Sequence, residues 1–572
     1  MRSVLTAGDW TTIVVYGRNR NNPLPEGIFT ARDLVVVYSG YVVDPIDEDT
    51  RWGAYFDSVH RDQRPMRVSP GGIYSYATVR TSDGQVCAGH STPTLEPVYF
   101  TQCDDGFHLG NHPLFVHQAG NEFGTPRISE TFLLRAAGAG VAIDDHTPFV
   151  GTRRLAPGAI VSSRRHLLHV HPAPQPSFGR YRVETLARRV DAVSEGLLEA
   201  GSILSRLPKG EFRVSGGKDS RMIAALLKSA RLGSIPINQN FPQEVEGQVA
   251  DMVSAVLNEE CRRIPIEEYV DRDLGRATTR KVAYSGGLPA VASQGYPTKA
   301  EGSVSGLPLI MGHAHLQRGG FASTRVRTYP EIVAMVKSRS VNPFLRAGFR
   351  EHNDRLADEW IDSQLRDGKR GPQVLSYTAY LQYTLNYQFQ SLYAYVRNWN
   401  AMITPMVDER FALLCQQIAE SGDSRGGANG IGDLRAERIA MGVIDKLAPE
   451  LLEFPLANDR FRADVPDTPG YEARDPSLLS PRPVPESDLK RILNTRRLNR
   501  ELRGQIWDIV SGGLVARLGE EAYLPEVWQF ISNPNSEPPA QFNHVLLSTF
   551  AMSVLGYSII QDTPWWETLE VT

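Results

Sequence analysis

A serine-flanked glycine turn between a strand and a helix constrains this sequence more than any other feature. The turn spans residues 215–220 and runs Ser-Gly-Gly-Lys-Asp-Ser. A β-branched and aromatic run at 211–214 precedes it, and an apolar helical run begins at Met222. Glycines let a backbone approach a ligand closely, and a helix start supplies unpaired amides and a positive dipole end. The pattern predicts a polyphosphate-binding loop, but not a Walker loop, because that spacing is absent.

The side chains of this 215–220 loop suit a metal–polyphosphate ligand. Ser215 and Ser220 carry hydroxyl groups that can donate hydrogen bonds to phosphate oxygens. Lys218 either adds a cation to the site or points to solvent. Asp219 does not suit a direct phosphate contact, so we expect it to hold a bridging Mg²⁺. The alternative is an ordinary glycine turn whose helix is capped by Asp219 or Ser220.

Length and composition indicate a soluble protein of several domains. The 572 residues are 41% apolar and 22% charged, and the net charge of −4 gives no general attraction to nucleic acid or to an anionic membrane. The sequence contains no run of about 18 apolar residues and no signal-peptide pattern. The four cysteines lack the spacing of a disulfide framework or a zinc site. We therefore expect a cytoplasmic protein.

Strand and helix patterns divide the chain into three predicted domains. The first is rich in β-branched runs, such as 34–38 and 73–79, and ends in a proline-rich stretch at 171–176. The second alternates strands with helices, which predicts a parallel sheet covered by helices, and becomes mostly helical from about residue 325. The third begins with another proline-rich stretch, at roughly 464–486, and is expected to be mainly helical. The predicted bounds are 1–172, 173–465 and 466–572.

The 215–220 loop resembles the pyrophosphate-binding loop of the asparagine-synthetase-like enzymes, whose pattern is Ser-Gly-Gly-x-Asp-Ser. Two further stretches resemble the same family. Residues 147–158 match the pattern T-x-F-x-G-x-x-R-L-x-P-G that ends its N-terminal domain, and residues 397–408 resemble its R…PF-x-D helix junction. The resemblance covers roughly residues 30–460. It implies an α+β, Ntn-hydrolase-like sandwich followed by an α/β, parallel-sheet PP-loop synthetase domain of the adenine nucleotide α-hydrolase-like kind, with a helical C-terminal part.

The resemblance also implies a reaction and its ligands. In this family ATP adenylates a substrate carboxylate and releases pyrophosphate, and an amine then displaces AMP to form an amide. The implied cofactors are ATP and Mg²⁺, with Asp219 as the metal ligand. The residues implied to contact ATP and pyrophosphate are Ser215, Gly216, Gly217, Lys218, Asp219, Ser220 and Gly312.

The sequence departs from the family at its N-terminus. Glutamine-hydrolysing members expose a cysteine as the first residue after methionine removal, but Arg2 occupies that position here. The first cysteines are Cys87 and Cys103, which we expect to be small core residues. The N-terminal domain therefore resembles the inactive one of β-lactam synthetases and lasso-peptide cyclases. The amine is expected to come from the substrate or from free ammonia, which disfavours glutamine-dependent asparagine synthesis.

The family's second loop, G-x-G-G-[DE], is also altered. Residues 312–320 keep the first glycine, Gly312, and an Arg-Gly-Gly end, but lack the acid. His313 and His315 suit a phosphate or a metal, or are polar loop residues without a ligand. Arg318 suits a bidentate phosphate contact.

A lysine that many members place near the end of the synthetase domain is missing as well. The matching stretch, residues 451–461, contains no lysine. Such a cation stabilises the charge that develops while the amide forms. Either Arg460 or Lys446 is the candidate replacement.

Two functions remain open from the sequence. The first is an AMP-forming carbon–nitrogen ligase of natural-product biosynthesis, acting on a small-molecule or peptide carboxylate in the manner of a macrolactam-forming lasso-peptide cyclase or a β-lactam synthetase. The second is a catalytically impaired, nucleotide-binding scaffold subunit that acts with a partner protein in a biosynthetic complex. Neither function involves a nucleic-acid or membrane partner.

Overall fold

The computed structural model describes most of the first 457 residues. Apart from residues 524 and 525, the predicted extension at 466–572 lies outside the described part, as does Arg2. The described residues are 3–7, 11–15, 24, 27–31, 33–44, 51–62, 69–122, 124–129, 131–132, 144–173, 185–238, 244–264, 285, 307–312, 328–340, 345–367, 375, 378–379, 393, 401–421, 431–457 and 524–525.

The N-terminal part consists of antiparallel sheets and helices. Its elements are β1 Ser3–Ala7, β2 Thr11–Val15, β3 Gly27–Ala31, β4 Leu34–Val42, α1 Arg51–Asp62, β5 Gly72–Arg80, β6 Val86–His90, β7 Tyr99–Cys103, β8 Gly106–Gly110, α2 Pro113–Gly120, β9 Arg153–Arg154, β10 Ile160–Arg164 and β11 Leu167–His171. One six-stranded sheet has the order β11-β10-β6-β5-β4-β3, a second sheet has the order β8-β7-β9, and β1 pairs with β2.

The strands predicted at 34–38 and 73–79 are confirmed as parts of β4 and β5. These two strands pair along nine residues each. Burial alternates along the first half of β4, as expected for a strand with one face on a core. Helix α1 covers that face, and its Phe56 ring lies 5.0 Å from the ring of Tyr76, centroid to centroid. Aromatic packing of this kind anchors the helix to the sheet.

The second part is built on a parallel sheet. Its elements are α3 Leu186–Gly201, a 3-10 helix Ser202–Arg206, β12 Gly210–Arg213, α4 Lys218–Ser229, β13 Ser234–Asn238, α5 Val245–Val256, β14 Arg262–Arg263, β15 Leu309–Ile310, α6 Tyr329–Ser340, α7 Ala347–Arg366, β16 Met402–Ile403, a 3-10 helix Pro405–Val407, α8 Glu409–Ser421, α9 Ile431–Leu447 and a 3-10 helix Pro449–Leu452. Among the described residues, no helix is long and apolar enough to cross a bilayer.

The order of the parallel strands creates a switch point beside β12. The sheet runs β14-β13-β12-β15-β16, and every neighbouring pair is parallel. From β12 the chain builds outward through β13 and β14, and it later returns to the other side of β12 with β15 and β16. Open α/β sheets bind their ligands at the carboxyl ends of the strands where the order reverses in this way. The ends of β12 and β15 flank that position.

The two parts share one apolar core. Tyr41 and Ile73 of the N-terminal sheet belong to the same buried cluster as Phe212 of β12 and Met402 of β16. The hydroxyl oxygen of Tyr41 also accepts a hydrogen bond from the Thr404 amide at 3.3 Å. The N-terminal sheet is therefore packed onto the parallel-sheet part and is not joined to it only by a linker.

Two adjacent carboxylates, of the buried Asp408 and the partly buried Glu409, reinforce this interface. Asp408 Oδ1 accepts from the Phe411 amide at 3.0 Å, which caps α8, while Oδ2 accepts from the Gly72 amide of β5. Glu409 accepts from the Thr92 amide and from the Tyr74 hydroxyl, both at 3.0 Å. Burial raises the pKa of both carboxyl groups, that of Asp408 to about 6, although these hydrogen bonds oppose the shift.

Arg410 completes the contact beside them. Its Nη2 donates to Asp44 Oδ1 at 2.9 Å and to the Pro70 carbonyl at 2.8 Å, and its Nη1 donates to Glu199 of α3 at 2.8 Å. One guanidinium thus bridges the N-terminal part and α3. The start of α8 is consequently the main polar junction of the two parts.

Replacement of Asp408 by Asn is predicted to alter how stability depends on pH. The pKa of Asp408 is about 6 in the folded state and near its ordinary value of 3.8 in the unfolded state, so the folded state binds its proton more tightly. Its contribution to the free energy of unfolding is therefore greatest at acidic pH and falls as pH rises through this interval. We expect the stability difference between the parent and Asp408→Asn to shrink by roughly 1 kcal/mol between pH 5 and pH 7 in urea denaturation. A difference that stays constant or widens would contradict this account.

Candidate functional site

The 215–220 loop leaves the carboxyl end of β12 and runs directly into α4. The sequence pattern placed the apolar start of the helix at Met222, but α4 begins at Lys218. Gly217 is its N-cap residue, with extended backbone angles of φ −86° and ψ 167°. The second half of the loop is therefore the first helical turn. This arrangement places the amino end of the helix, which is the positive end of its dipole, in the loop at the switch point.

Ser220 holds the loop in shape from inside. Its hydroxyl accepts a hydrogen bond from the Ser215 amide at 3.2 Å and lies 2.7 Å from the Ser215 carbonyl and 3.0 Å from that of Gly217. The Ser215 hydroxyl lies 3.0 Å from that of Ser220 and accepts weakly from the Gly217 amide at 3.4 Å. Within the described part of the chain, the amides of Ser215 and Gly217 are thus engaged by hydroxyl groups and not by main-chain carbonyls. A serine side chain can release such an amide to a phosphate oxygen by rotation about its Cα–Cβ bond.

The start of the loop is fixed by the neighbouring strand. The Val214 amide donates to the Ile237 carbonyl of β13 at 3.0 Å, and Asn238 Nδ2 donates to the Val214 carbonyl at 2.7 Å. Both polar groups of Val214 are therefore used in aligning the end of β12. The loop consequently departs from a rigid support, which is what a preorganised ligand site requires.

The exposure of the loop residues bears on the two alternatives for Lys218, which either adds a cation to the site or points to solvent. Ser215, Gly217 and Asp219 are partly exposed, so a ligand can reach the turn. Lys218 is only 3% exposed, and the alternative in which its side chain points to solvent is wrong. The reason is the early start of α4, because Lys218 then shares the buried helical face of Arg221, Met222 and Ala225.

The two glycines of the loop serve different purposes. A Cβ atom at Gly216 would lie 2.2 Å from the Cβ of Ala457, so only glycine fits against that residue. Among the residues that the structure describes, a Cβ atom at Gly217 would meet nothing closer than the Ser215 hydroxyl at 3.6 Å. Neither glycine has a left-handed backbone. The tight turn therefore does not need glycine for its backbone angles. Gly216 makes room for the protein, and Gly217 leaves space that a ligand can fill.

Gly312 lies against the loop, as a member of one ligand site must. It follows β15, whose Ile310 pairs with Phe212 of β12. A Cβ atom at Gly312 would lie 2.8 Å from the carbonyl oxygen of Asp219. The chain after β15 therefore touches the first turn of α4. The next candidates in this chain, His313, His315 and Arg318, lie outside the described residues.

A segment from the end of the second part also reaches the loop. After the 3-10 helix Pro449–Leu452, the chain continues to Ala457. The Ala457 amide donates to the Gly216 carbonyl at 3.0 Å. Arg221 of α4 donates from Nη1 to the Leu451 carbonyl at 2.8 Å. We call residues 449–457 the docking segment. The resemblance placed a catalytic cation in this stretch of sequence, and Arg460, which lies three residues beyond Ala457, is outside the described residues.

Lys446 lies in a different setting. It occupies the last turn of α9, where its Nζ is 2.5 Å from Asp191 Oδ1 of α3. Both side chains are about half exposed, at 41% and 54%. This ion pair belongs to the surface between α9 and α3. Of the two candidate cations, Lys446 therefore has a surface partner, whereas Arg460 continues a segment that touches the loop.

Asp219 is a partly exposed carboxylate in the first turn of α4, where the helix dipole favours negative charge. Magnesium in nucleotide sites commonly takes one or two carboxylates, with the remaining ligands from phosphates and water. A single aspartate on the loop therefore fits a magnesium–phosphate ligand. The described residues contain one group of three potential metal ligands, Asp144, Asp145 and His146, and it lies in the N-terminal part.

The thiols of both cysteines of the N-terminal part have a raised pKa. Cys87 is buried in β6, and burial raises the pKa of its thiol to about 12, so no thiolate forms near neutral pH. The expectation of a core position is confirmed for Cys87. It is wrong for Cys103, which is partly exposed because it ends β7 beside a turn. Burial and two nearby aspartates also raise the pKa of the Cys103 thiol.

Arg221 is the residue of the site to which the sequence pattern assigned no role. It is fully buried and binds carbonyls of the docking segment. Its signal in the sequence was an arginine directly before the apolar run 222–227 of α4.

Comparisons with known proteins add no relative to this picture. No protein-family model matches the chain, and a search of the curated proteins found no match. What the site binds is therefore inferred from the chemistry of its residues and from its position at the switch point of the sheet.

Proposed function

We propose that this chain is an ATP-dependent, AMP-forming carbon–nitrogen ligase of the asparagine-synthetase-like kind. It activates a small-molecule or peptide carboxylate as an acyl-adenylate, which an amine converts into an amide. The parallel-sheet part is accordingly proposed to be a PP-loop domain with the adenine nucleotide α-hydrolase-like fold. The antiparallel part is proposed to be a degenerate, Ntn-hydrolase-like domain.

One observation carries the proposal. A Ser-Gly-Gly-Lys-Asp-Ser loop lies at the carboxyl end of the central parallel strand and opens directly into a helix. Among the described residues, the amides of Ser215 and Gly217 are engaged only by hydroxyl groups of the loop, and a side chain at Gly217 would point into open space. Small donors, a helix amino end and free volume together suit a polyphosphate.

The proposed reaction has two steps. In the first, a carboxylate oxygen bonds to the α-phosphorus of ATP, the bond from that phosphorus to the bridging oxygen breaks, and pyrophosphate leaves. In the second, the amine nitrogen attacks the acyl carbon, the bond to AMP breaks, and the nitrogen loses a proton. The loop and the amino end of α4 stabilise the negative charge of the pyrophosphate as it leaves. Asp219 would hold a magnesium ion, which would supply further neutralisation of the phosphates when bound.

The amine in this proposal comes from the substrate or from free ammonia. The buried Cys87 thiol cannot serve as a glutamine-hydrolysing nucleophile. An intramolecular amine would make the product a ring, as in macrolactam formation. The N-terminal part then acts as a structural support, consistent with the core that it shares with the parallel sheet.

The second candidate is a nucleotide-binding scaffold subunit that forms no amide. The ion pair of Lys446 with Asp191 favours it, because one of the two candidate cations is engaged on the surface. Both candidates bind ATP, so nucleotide binding alone does not separate them. Exchange of labelled pyrophosphate into ATP does, because it requires reversible formation of the acyl-adenylate.

Alanine substitutions at the two glycines are predicted to have different effects, on ATP binding alone at Gly217 and on both binding and stability at Gly216. Gly217→Ala adds a methyl group that touches only a hydroxyl, so we expect the melting temperature to change little and the dissociation constant for ATP to rise at least tenfold. Gly216→Ala drives a methyl group into Ala457, so we expect lower stability as well as weaker binding. The measurements are calorimetric titration with Mg-ATP and thermal denaturation. Normal ATP affinity in a folded Gly217→Ala variant would show that the space beside Gly217 does not hold phosphate.

Replacement of Asp219 by Asn is predicted to abolish adenylation. The substitution keeps the shape of the side chain but removes the charge that binds the metal, so pyrophosphate exchange with a panel of carboxylates should fall at least a hundredfold. Asp358→Asn, which removes a surface partner of Lys337, is the control and should retain full exchange. If the parent binds ATP but exchanges with no carboxylate, the scaffold function is favoured over the ligase.

The two candidate cations are predicted to differ in the second step. Arg460→Met should leave pyrophosphate exchange intact and slow amide formation about a hundredfold, the usual effect of removing a preorganised charge from a transition state. Lys446→Met should leave both within about twofold, because its ammonium is engaged by Asp191 on the surface. Product formation is followed by mass spectrometry with the carboxylate found by exchange. The reverse pattern would assign the role to Lys446.

A further inference from the structure

Arg221 is a fully buried arginine that binds the docking segment through its main chain. Its Nη1 donates to the carbonyls of Leu451 at 2.8 Å and Phe454 at 2.9 Å, and its Nη2 donates to the carbonyl of Pro455. The guanidinium carbon also lies 4.5 Å from the centroid of the Phe454 ring. Arginine carries its donors on separate nitrogens in one plane, so it can reach carbonyls that lie apart from one another.

The charge of Arg221 is stabilised by the way the docking segment ends. The Leu451 carbonyl belongs to the 3-10 helix Pro449–Leu452, and the carbonyls of Phe454 and Pro455 follow that helix, so three carbonyl oxygens face the cation. The face of Phe454 adds a cation–π contact. Burial of a charged group is costly unless such partners are fixed in place. The docking segment can therefore leave Arg221 only at a large cost in free energy.

A second contact joins the same segment to the loop itself. The Ala457 amide donates to the Gly216 carbonyl at 3.0 Å, and the missing side chain of Gly216 lets the two backbones meet. Arg221 lies on α4, one residue after the loop ends at Ser220. The loop, the start of α4 and the docking segment are thus held together at two points.

We propose that Arg221 is a positioning residue that makes the 215–220 loop and the docking segment one mechanical unit. Undocking of the segment releases the Gly216 carbonyl and lets the loop lose its ligand-binding shape. Conversely, a ligand that fixes the loop also fixes the segment, and with it the start of the chain that carries Arg460. The identity of that ligand as ATP rests on the proposed function, whereas the coupling between loop and segment does not.

Hydrogen–deuterium exchange tests the coupling in the protein without nucleotide. Arg221→Lys keeps the charge but cannot donate to three separated carbonyls in the same plane. We expect the amides of Ala457 and of Ser215 and Gly217 to exchange at least tenfold faster in this variant, at a temperature where it is fully folded. Arg410→Lys makes the same chemical change at the interface of the two parts and is the matched control. It should leave these three amides within twofold of the parent.

A double-mutant cycle tests the consequence for Mg-ATP. If Gly216→Ala and Arg221→Lys both act by undocking the segment, each should weaken ATP binding about tenfold. The double variant should then bind ATP at most twofold more weakly than the single variant with the higher dissociation constant. A role confined to local stability predicts independent effects that multiply. Multiplying effects, or a folded Arg221→Lys variant with unchanged exchange at Ser215 and Gly217, would overturn the proposal.

The outcomes also separate this inference from the proposed function. If the parent does not bind Mg-ATP, the proposed ligand is wrong, but exchange at the loop in Arg221→Lys still decides whether Arg221 positions it. If Arg221→Lys does not fold, Ala457→Pro removes the second contact instead, because proline lacks the donating amide. Faster exchange at Ser215 and Gly217 in that variant supports the coupled unit, and unchanged exchange refutes it.

Discussion

The parallel pairing of β12 with β15 determines where the candidate residues of this chain can meet. Glu211 and Phe212 pair with Leu309 and Ile310, although nearly a hundred residues separate the two strands. Because both strands run in the same direction, the loop after β12 and the chain after Ile310 leave the sheet at the same edge. That pairing places Gly312 against the first turn of α4. Without it, the chain after β15 would not reach the loop, and only the docking segment would remain beside it.

Much of the fold followed from local patterns, and the misses have physical causes. The strand and helix runs around the loop were predictable because their apolar residues follow the periods of strand and helix. The start of α4 was predicted too late, because Lys218, Asp219 and Ser220 are polar and do not show the apolar period of a helix. In the structure these three residues form its first turn, directly after Gly217. The packing of Gly216 against Ala457 was not predictable, because the two residues lie far apart in sequence.

The candidate site was predictable only as far as its residues are contiguous. The 215–220 loop is one string of sequence, so its chemistry could be inferred before its geometry was known. Arg221 gained its role from carbonyl groups of residues 451–455, and main-chain carbonyls carry no sequence pattern. Lys446 shows the opposite case: its residue type suited catalysis, but its place on α9 gave it a surface partner. Long-range contacts of this kind are set by packing, which a single sequence does not display.

The shared junction at the start of α8 has a consequence for any attempt to divide the chain. A cut near residue 172 looks natural, since the antiparallel strands end at His171 and α3 begins at Leu186. Such a cut would strip Gly72 and Tyr74 from the carboxylates of Asp408 and Glu409 and expose the apolar faces of Tyr41 and Ile73. The carboxyl groups of Asp408 and Glu409 would lose hydrogen-bond donors, and an apolar surface would be exposed to water. The unit of cooperative folding therefore extends across the boundary that the proline-rich stretch near residue 172 suggests. Expression of either half alone is expected to cause aggregation.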